Sequence, residues 1–527
     1  MALSRRNLLQ RIGAVGGAGA AYMAMEAMGL AIPTPAAAED FALPPRSGDG
    51  KSVVILGAGI AGLVSAYELQ RAGYRVTVLE ASSRIGGRAW TIRGGDRVVQ
   101  TGRPDQHASF DDGLYFNAGA ARIPSTHQVI LGYARRFAVP MEVFVNTNRN
   151  AGWDFGGKVN AERRMVSDMR GRMAELLAKA IDQHALDQAV PKDELAAIRQ
   201  LLAPYGSLNP KGDYAPRGSN GYAVEPGGYA QAPVPLPPLS WDALLSASAK
   251  TPVPYIFDNI WDMQPTMFQP VGGMDRIAHA IYDRVKPSVR LDTPVTAIRR
   301  IGRRVRVEHG AAVTEADFCV CTLPAPLLSA IPNDFSTAKK AALSGIPYLQ
   351  SVKVGFESPR FWERDDFLYG GIAWTDRLNE NLLYPSGGFN SPKGVLVAGY
   401  VAGWTRRENP EAFSALSFGD RFRICRESVE ALHPGRSHLL DKPLTVSWAQ
   451  TPWASGVGVL WSDGPKGVVE RGERYAELLK PEGPIVFAGE HLSYQGQWQE
   501  GAALSAHEAL RLLRSMAAQT PAARTAA

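Results

Sequence analysis

Cysteine is nearly absent from this 527-residue chain, which contains only Cys319, Cys321 and Cys425. So few cysteines in so long a chain exclude a scaffold built on disulfides. Cys319 and Cys321 stand two residues apart in the apolar run 318–323, so a strand would place both on one face. Because no histidine or further cysteine clusters near them, we expect buried small side chains there and no metal site.

The chain also lacks a large excess of charge of either sign. The chain has 57 lysines and arginines against 51 acidic residues, a net charge of +6, and it contains no block dense in lysine and arginine. Nucleic acid is therefore not an expected partner. A hydrophobic share of 45% and a charged share of 20% are those of a soluble globular protein and exclude a disordered one.

The N-terminal region lacks a long hydrophobic run. Five glycines within 13–29 make this stretch a poor helix and a poor membrane span. It follows the twin-arginine sequence SRRNLL at 4–9 and precedes AAA at 36–38, which is typical of a twin-arginine export signal over 1–38, cleaved near Ala38. We expect a periplasmic or secreted protein without a stable membrane anchor, folded around a cofactor before export. An ordinary amphipathic helix is the alternative.

A dinucleotide-binding pattern follows the Pro/Gly/Ser linker at 39–50. A continuous apolar strand at 53–56, a helix at 61–71 and a strand at 75–79 predict a β-α-β unit, part of an α/β fold. The glycine motif GAGIAG lies between the first strand and the helix. This context makes the motif far more specific than the glycines alone.

Each part of the motif has a physical reason. Gly57 allows a tight turn, Gly59 lets the backbone approach a pyrophosphate, and Gly62 lets the helix pack closely on the strand. The N-terminus of the helix faces the phosphate charge. Glu80, 23 residues after Gly57, can accept hydrogen bonds from the ribose hydroxyls and would repel the 2′-phosphate of NADP.

Further patterns follow along the chain. Apolar residues at helical spacing predict mostly helix over 124–202. Eight prolines in 203–240 predict an extended surface loop or lid. Alternating apolar and polar residues over 346–465 predict a mixed sheet, followed by a strand at 484–488 and a helix at 501–517.

The turn Arg84-Ile85-Gly86-Gly87-Arg88, together with Gly489-Glu490 near the C-terminus, resembles the flavin monoamine oxidase and L-amino-acid oxidase superfamily. Matching blocks cover about 51–515 and include VVILGAGIAGL, PVGGMDRIAHAI and VFAGEHLSYQGQWQEGA. The resemblance implies a Rossmann-like FAD-binding domain of the amine oxidase type. It would be assembled from 51–90, 268–345 and 440–517.

The resemblance also implies a mixed-sheet substrate domain from 91–130 and 346–439, and a helical insert at 131–267 that contains the loop 203–240. A homodimer is expected on the same ground. The loop and the insert would shape the entrance to the site. No residue in them fixes which amino-acid side chain is preferred.

The resemblance implies a set of FAD contacts. The backbone of Val295 would touch the adenine, and Glu490 would hold ribitol hydroxyls. The start of the helix at Gln499 would face the flavin ring, near which Trp448 would pack. The implied cofactor-binding residues are Gly57, Gly59, Ile60, Ala61, Gly62, Glu80, Ala81, Arg84, Gly87, Arg88, Gly119, Ala120, Ala121, Arg122, Val295, Trp448, Gly489, Glu490, Gln499 and Glu500.

Four residues match the substrate and catalytic positions of the family. Arg122, in YFNAGAARIPSTH, would pair bidentately with a substrate carboxylate, although an arginine can also pair with an internal acid. Lys353 would hold a water near flavin N5, with surface exposure as the alternative. Tyr400 and Trp498 would flank the substrate, unless they are only core aromatics. His127 and His491 lie near motif positions, but no base is required of them.

The implied reaction is oxidation of an L-amino acid by O2 to a 2-oxo acid, with release of ammonia and H2O2. Several alternatives stay open. An amine or polyamine oxidase acts on a substrate without a carboxylate, and an amino-acid 2-monooxygenase yields an amide and CO2. A dehydrogenase would pass electrons to a respiratory carrier, and a flavin-binding scaffold would turn over nothing.

Overall fold

The computed structural model describes residues 41–248, 252–461 and 471–519. The export signal predicted at 1–38 lies outside these residues. The helices of the described chain are Ile60–Arg71, Gln128–Arg136, Glu162–Asp182, Lys192–Tyr205, Trp241–Ser248, Val253–Ile256, Arg276–Val285, Ala325–Ala330, Thr337–Leu343, Phe361–Arg364, Asn409–Ala415, Phe418–Leu432, Gly472–Leu479 and Gln499–Ala518.

A parallel five-stranded sheet forms the first layer. Its strands lie in the order Val289–Arg290, Arg75–Leu79, Ser52–Leu56, Phe318–Cys321 and Ile485–Phe487. One face packs against the helices Ile60–Arg71, Arg276–Val285 and Gln499–Ala518, and the other against shorter helices and a three-stranded meander. Burial on both faces explains why the run 53–56 is continuously apolar.

The predicted burial of the cysteines is confirmed. Cys319 and Cys321 lie in the strand Phe318–Cys321, and both side chains face the same hydrophobic cluster. Cys425 is buried in another cluster, and all three are free thiols. No group of three or more histidine, cysteine or acidic residues in the described chain could hold a metal ion.

A mixed seven-stranded sheet forms the second layer. Its strands lie in the order Asp441–Ser447, Val352–Pro359, Lys393–Val401, Asn381–Leu383, Ile372–Thr375, Gly152–Phe155 and Lys158–Ala161. Only the pair Ile372–Thr375 and Gly152–Phe155 is parallel. The parallel sheet, the mixed sheet and their covering helices confirm the predicted α/β class.

Smaller sheets complete the strands. The meander comprises Val295–Ile301, Arg304–His309 and Ala312–Ala316. The two-stranded pairs are Thr91–Arg93 with Tyr115–Asn117, Arg97–Val98 with Gln106–His107, Met141–Val145 with Thr266–Pro270, Tyr222–Val224 with Val234–Pro235, and Tyr348–Leu349 with Gly458–Val459.

Two secondary-structure expectations were wrong in part. The stretch 124–202, expected to be mostly helical, also holds the strands Met141–Val145, Gly152–Phe155 and Lys158–Ala161. Two of these strands form a local hairpin that extends the mixed sheet, and Gly152–Phe155 joins it to the distant strand Ile372–Thr375, so strand pairing overrides the helical pattern. The stretch 346–465 also contains the helices Asn409–Ala415 and Phe418–Leu432, which cover that sheet.

The proline-rich segment 203–240 is fastened to the helix Glu162–Asp182. Asp168 on that helix accepts hydrogen bonds from the Tyr214 hydroxyl at 2.7 Å and from the Leu239 backbone at 2.7 Å. The segment is mainly exposed, but Tyr214 is buried. No helix in the described part of the chain is both long enough and apolar enough to cross a membrane.

Candidate active site

A cavity of about 580 Å³ lies between the two sheets. The carboxyl ends of the parallel strands open onto it through Gly57, Glu80, Thr322 and Gly489. This edge is where open parallel sheets bind nucleotides. The mixed sheet contributes Lys353 and other side chains to the opposite wall.

The glycine turn leaves room at the phosphate position. Gly57 has a φ of +98°, in the region that favours glycine. A Cβ on Gly62 would lie 1.9 Å from the Gly57 carbonyl oxygen, so only glycine lets the helix start so close to the turn. A Cβ on Gly59 would meet nothing within 4 Å, because this residue borders the open cavity. These three positions fit a bound dinucleotide pyrophosphate.

Glu80 lines the cavity at the end of its strand. Its carboxylate accepts hydrogen bonds from the Ala58 backbone at 2.6 Å and from the Ser82 backbone at 2.9 Å. These bonds fix the side chain beside the glycine turn, where it was predicted to bind ribose. Arg84 lies nearby with its guanidinium 4.2 Å from the Trp90 ring centroid, and burial lowers its pKa to about 10.

Arg88 and the buried Glu490 form an ion pair at 2.8 Å that ties the glycine-rich turn to the C-terminal segment. Glu490 also accepts backbone hydrogen bonds from Val459 and Gln497. Burial opposes ionisation of this carboxyl, but Arg88, His491 and the Gln497 hydrogen bond together outweigh it, so the pKa of Glu490 is lowered. Both side chains border the cavity, and the role of Glu490 toward ribitol stays a prediction.

The helix Gln499–Ala518 points its N-terminus at the cavity. The side-chain amide of Gln499 is buried there, and neither its nitrogen nor its oxygen has a partner among the described residues. Glu500 turns away from the cavity. Its carboxylate accepts hydrogen bonds from the backbones of Val129 at 2.9 Å and Ile130 at 2.7 Å, at the start of another helix.

Arg122 is a buried cation without an acidic partner in the described chain. Its side chain is 5% exposed, and its Nε and Nη1 atoms have no hydrogen-bond partner there. Its Nη2 atom contacts the Met263 sulfur at 3.2 Å, and Phe144 and Phe257 lie beside the guanidinium. Burial lowers the pKa of Arg122. Pairing with an internal acid, the alternative raised from the sequence, therefore finds no support in the described residues.

The position of Arg122 is fixed by its backbone. The next residue, Ile123, forms an isolated antiparallel β-bridge with Phe268. Each backbone N–H donates to the carbonyl of the other residue, at 2.7 and 2.8 Å. A buried guanidinium with unused donors is costly unless a ligand completes them. The arrangement therefore suits a carboxylate that arrives with the substrate.

Lys353 and Tyr400 face each other across two neighbouring strands. They are direct Cα partners, and the Lys353 Nζ atom lies 4.6 Å from the Tyr400 ring centroid. Lys353 is 2% exposed and donates hydrogen bonds to the carbonyls of Asn117 at 3.1 Å and Gly119 at 2.5 Å. Burial and the charge of Arg122 lower the pKa of Lys353 to about 7. Exposure of this lysine at the surface is excluded.

Trp498 lies at the same end of the cavity and belongs to one hydrophobic cluster with Tyr400 and Met263. Its Nε1 atom donates a hydrogen bond to Asp262 at 3.0 Å. The His127 ring meets the Trp498 ring edge-on with centroids 5.0 Å apart. Tyr400 and Trp498 both reach the cavity and are not core aromatics alone.

The cavity collects nearly all the residues predicted from the sequence. Of the predicted catalytic, substrate-binding and cofactor-binding residues, only Gly62 and Glu500 are absent from its lining. Sequence reasoning missed Asp262 and set His127 aside, although both line the cavity. Trp448 is buried beside Gly119 and donates a hydrogen bond from Nε1 to the Ala118 carbonyl at 2.9 Å.

The region expected to shape the entrance contributes only in part. Ile260, Asp262 and Met263 of the insert line the cavity, whereas no residue of 203–240 does. The proline-rich segment is therefore not part of the cavity wall in this conformation.

Known proteins match this chain along most of its length. The model of the family described as flavin containing amine oxidoreductase matches residues 60–512. The L-amino-acid oxidase of Siganus canaliculatus is 28% identical over 88% of this chain and 85% of its own length. The flavin-dependent L-tryptophan oxidase RebO of Lentzea aerocolonigenes is 26% identical over 88% of this chain and 98% of its own length.

The fold is also found among solved structures. Cyclohexylamine oxidase from Brevibacterium oxydans aligns with a TM-score of 0.60 and 18% identity, over 88% of this chain and 99% of that one. The family match covers most of the chain, and the glycine turn and the open cavity beside it fit FAD. The chain belongs to the flavin-containing amine oxidoreductases, and it is a flavin-dependent oxidoreductase.

Proposed function

We propose that the protein oxidises L-amino acids to 2-oxo acids with release of ammonia and H2O2. The observation that carries this proposal is Arg122, a buried cation in the cavity without an acidic partner among the described residues. Simple amines have no group for this cation to bind. The amino-acid oxidases among the relatives support the same substrate class.

Arg122 binds the substrate carboxylate and fixes one end of the amino acid. Its planar guanidinium can offer two parallel N–H donors to two oxygens, which defines direction as well as position. Phe144 and Phe257 keep water away from the guanidinium, so the charge-assisted bonds gain strength.

Tyr400 and Trp498 hold the reacting carbon. Both rings reach the cavity at the Arg122 end, where they shield the amino group and Cα from water. Trp498 is itself held by its bond to Asp262. A substrate fixed at its carboxylate and confined between rings has lost most of its orientational freedom before reaction.

Lys353 supplies a proton acceptor inside the cavity. With a pKa lowered to about 7 by burial and by Arg122, much of it is neutral near pH 7. The neutral amine donates two N–H bonds to the Asn117 and Gly119 carbonyls, and its lone pair stays free to accept a proton or to hold a water.

The bound flavin supplies the redox chemistry: it takes two electrons from the substrate and passes them to O2. The amino acid thereby loses two hydrogens and becomes an imino acid, while O2 gains two electrons and two protons and becomes H2O2. One water then hydrolyses the imino acid to the 2-oxo acid and ammonia.

A peroxide-coupled assay with the twenty L-amino acids and their decarboxylated amines tests the proposal. We expect turnover of amino acids, near-absence of turnover of the matching amines, and 2-oxo acid, ammonia and H2O2 in equal amounts. Preference for the amines would refute it. An amide with CO2 would assign a 2-monooxygenase, and far less H2O2 than substrate consumed would assign a dehydrogenase.

We also propose export and dimer formation, which rest on the twin-arginine pattern at 4–9 and on the family resemblance. Changing both arginines to lysine in the full-length chain should keep the protein in the cytoplasm. Sedimentation of the holoenzyme should give twice the chain mass.

A further inference from the structure

The cavity wall carries a carboxylate that no sequence motif indicated. Asp262 lies beside Met263, whose sulfur contacts Arg122, so this acid and the free cation share one end of the cavity. They are not paired with each other: no ion pair joins them within 4 Å, and Asp262 is not among the charges that shift the pKa of Arg122. Neither charge is therefore neutralised by the other.

Only half of the Asp262 carboxylate is used by the described residues. Oδ2 accepts the Trp498 hydrogen bond, whereas Oδ1 is buried and has no hydrogen-bond partner. Nε2 of His127 lies 3.8 Å from Oδ1, which is beyond hydrogen-bond distance. That nitrogen is also buried and without a partner in the described part of the chain, on a side chain only 1% exposed.

The segment around Asp262 lies at the mouth of the cavity. Ile260 lines the cavity yet is 37% exposed, and Trp261 is 77% exposed. The Asp262 side chain as a whole is 27% exposed. A substrate that is bound at Arg122 and directs a long side chain toward this opening would pass Asp262.

We propose that Asp262 is a specificity-determining residue that binds a cationic amino or guanidino group on the substrate side chain. This inference rests on the proposed function. The preferred substrates of the enzyme would be basic L-amino acids. Oδ1 would accept the N–H donor, and a neutral side chain would leave this buried acceptor without a partner.

The α-amino group is a poorer occupant for Asp262. Oxidation requires this group to lose its proton, and a carboxylate bonded to it would stabilise the protonated form. A side-chain cation, in contrast, keeps its charge throughout the reaction. An acid that binds it favours one substrate class without opposing the chemistry.

The test compares L-arginine with L-citrulline, which has nearly the same shape without the charge, on the flavin-loaded enzyme. We expect kcat/KM for arginine to exceed that for citrulline at least tenfold. Asp262→Asn should reduce this ratio to within about threefold, mainly by slowing arginine. The asparagine oxygen can still accept the Trp498 bond, so the ring keeps its support.

Two further variants make the outcome decisive. Asp262→Glu keeps the charge and should keep a preference for arginine. Asp258→Asn removes a carboxylate of the same segment that bonds Thr147 and Arg149 outside the cavity, and it should leave the ratio unchanged.

Three results would overturn the inference. Wild-type enzyme without a preference for arginine over citrulline contradicts it even if Asp262→Asn fails to fold. An equal loss with both substrates in Asp262→Asn would assign Asp262 to positioning Trp498. If the wild-type enzyme oxidises no amino acid, the proposed function is wrong and the inference falls with it. If the enzyme oxidises neutral amino acids well and shows no preference for arginine, only the inference is wrong.

Discussion

Removal of the Arg122 charge should separate function from stability. In Arg122→Met, an unbranched apolar side chain still fills the space beside Phe144 and Phe257, but the carboxylate loses its donors. A hydrogen bond to a charged group contributes about 1.5–3 kcal/mol. Two such bonds amount to about 3–6 kcal/mol, or about 10²- to 10⁴-fold in kcat/KM for amino acids.

The same substitution should leave the stability of the fold unchanged or raise it. Arg122 is buried without an acid among the described residues, so its desolvation opposes folding. The melting temperature of Arg122→Met should therefore equal or exceed that of the wild type, at unchanged flavin content. Steady-state kinetics, thermal unfolding and the flavin absorbance ratio measure the three quantities.

The matching amine provides the control for Arg122. A substrate without a carboxylate forms no hydrogen bonds of this kind with Arg122. Its slow turnover should therefore be about the same in wild type and Arg122→Met. A fall in melting temperature with little change in kcat/KM for amino acids would refute the reasoning. Arg122 would then be a structural residue.

Other positions give independent tests. Because the pKa of Lys353 is lowered to about 7, kcat should fall as the pH drops below 7 and Lys353 takes up a proton, and a pH–rate profile of Lys353→Met should lack this step. Gly59→Ala places its Cβ in the cavity, so it should fold normally and lose flavin affinity, as measured by flavin titration. Gly62→Ala collides with backbone, so its melting temperature should fall as well. Asp168→Ala removes two of the hydrogen bonds that hold the segment 203–240, so limited proteolysis there should accelerate while kcat/KM stays within about threefold, since the segment lines no part of the cavity.

The cofactor region was predictable because its signal is local. The turn at 57–62 requires glycines at fixed spacing, and the strand and helix that flank it follow directly in the chain. The strand Met141–Val145 was missed because its partner comes from a distant part of the chain. The strand Gly152–Phe155 pairs with a distant strand and also with the next strand, Lys158–Ala161, so the Gly156-Gly157 turn between them was a local hairpin signal that was overlooked. Short strands of this kind have too few residues for their periodicity to outweigh a helical pattern nearby.

The substrate end of the cavity was predictable only through motifs. Arg122 was found because the block around it resembles a family segment, but its lack of an acidic partner is a property of the fold. Asp262 lies in a stretch without a motif. Its role can be recognised only in the fold, where Asp262 bonds Trp498 and lies near His127.

A crystal structure of the enzyme with its flavin already reduced and an L-amino acid bound, prepared without oxygen so that the ligand is not oxidised, tests the central claim most directly. The ligand should be an amino acid that the peroxide assay identifies as a substrate. We predict both carboxylate oxygens within hydrogen-bond distance of the Arg122 guanidinium and the amino group between Tyr400 and Trp498. A carboxylate that points to solvent, with Arg122 untouched, would contradict the account.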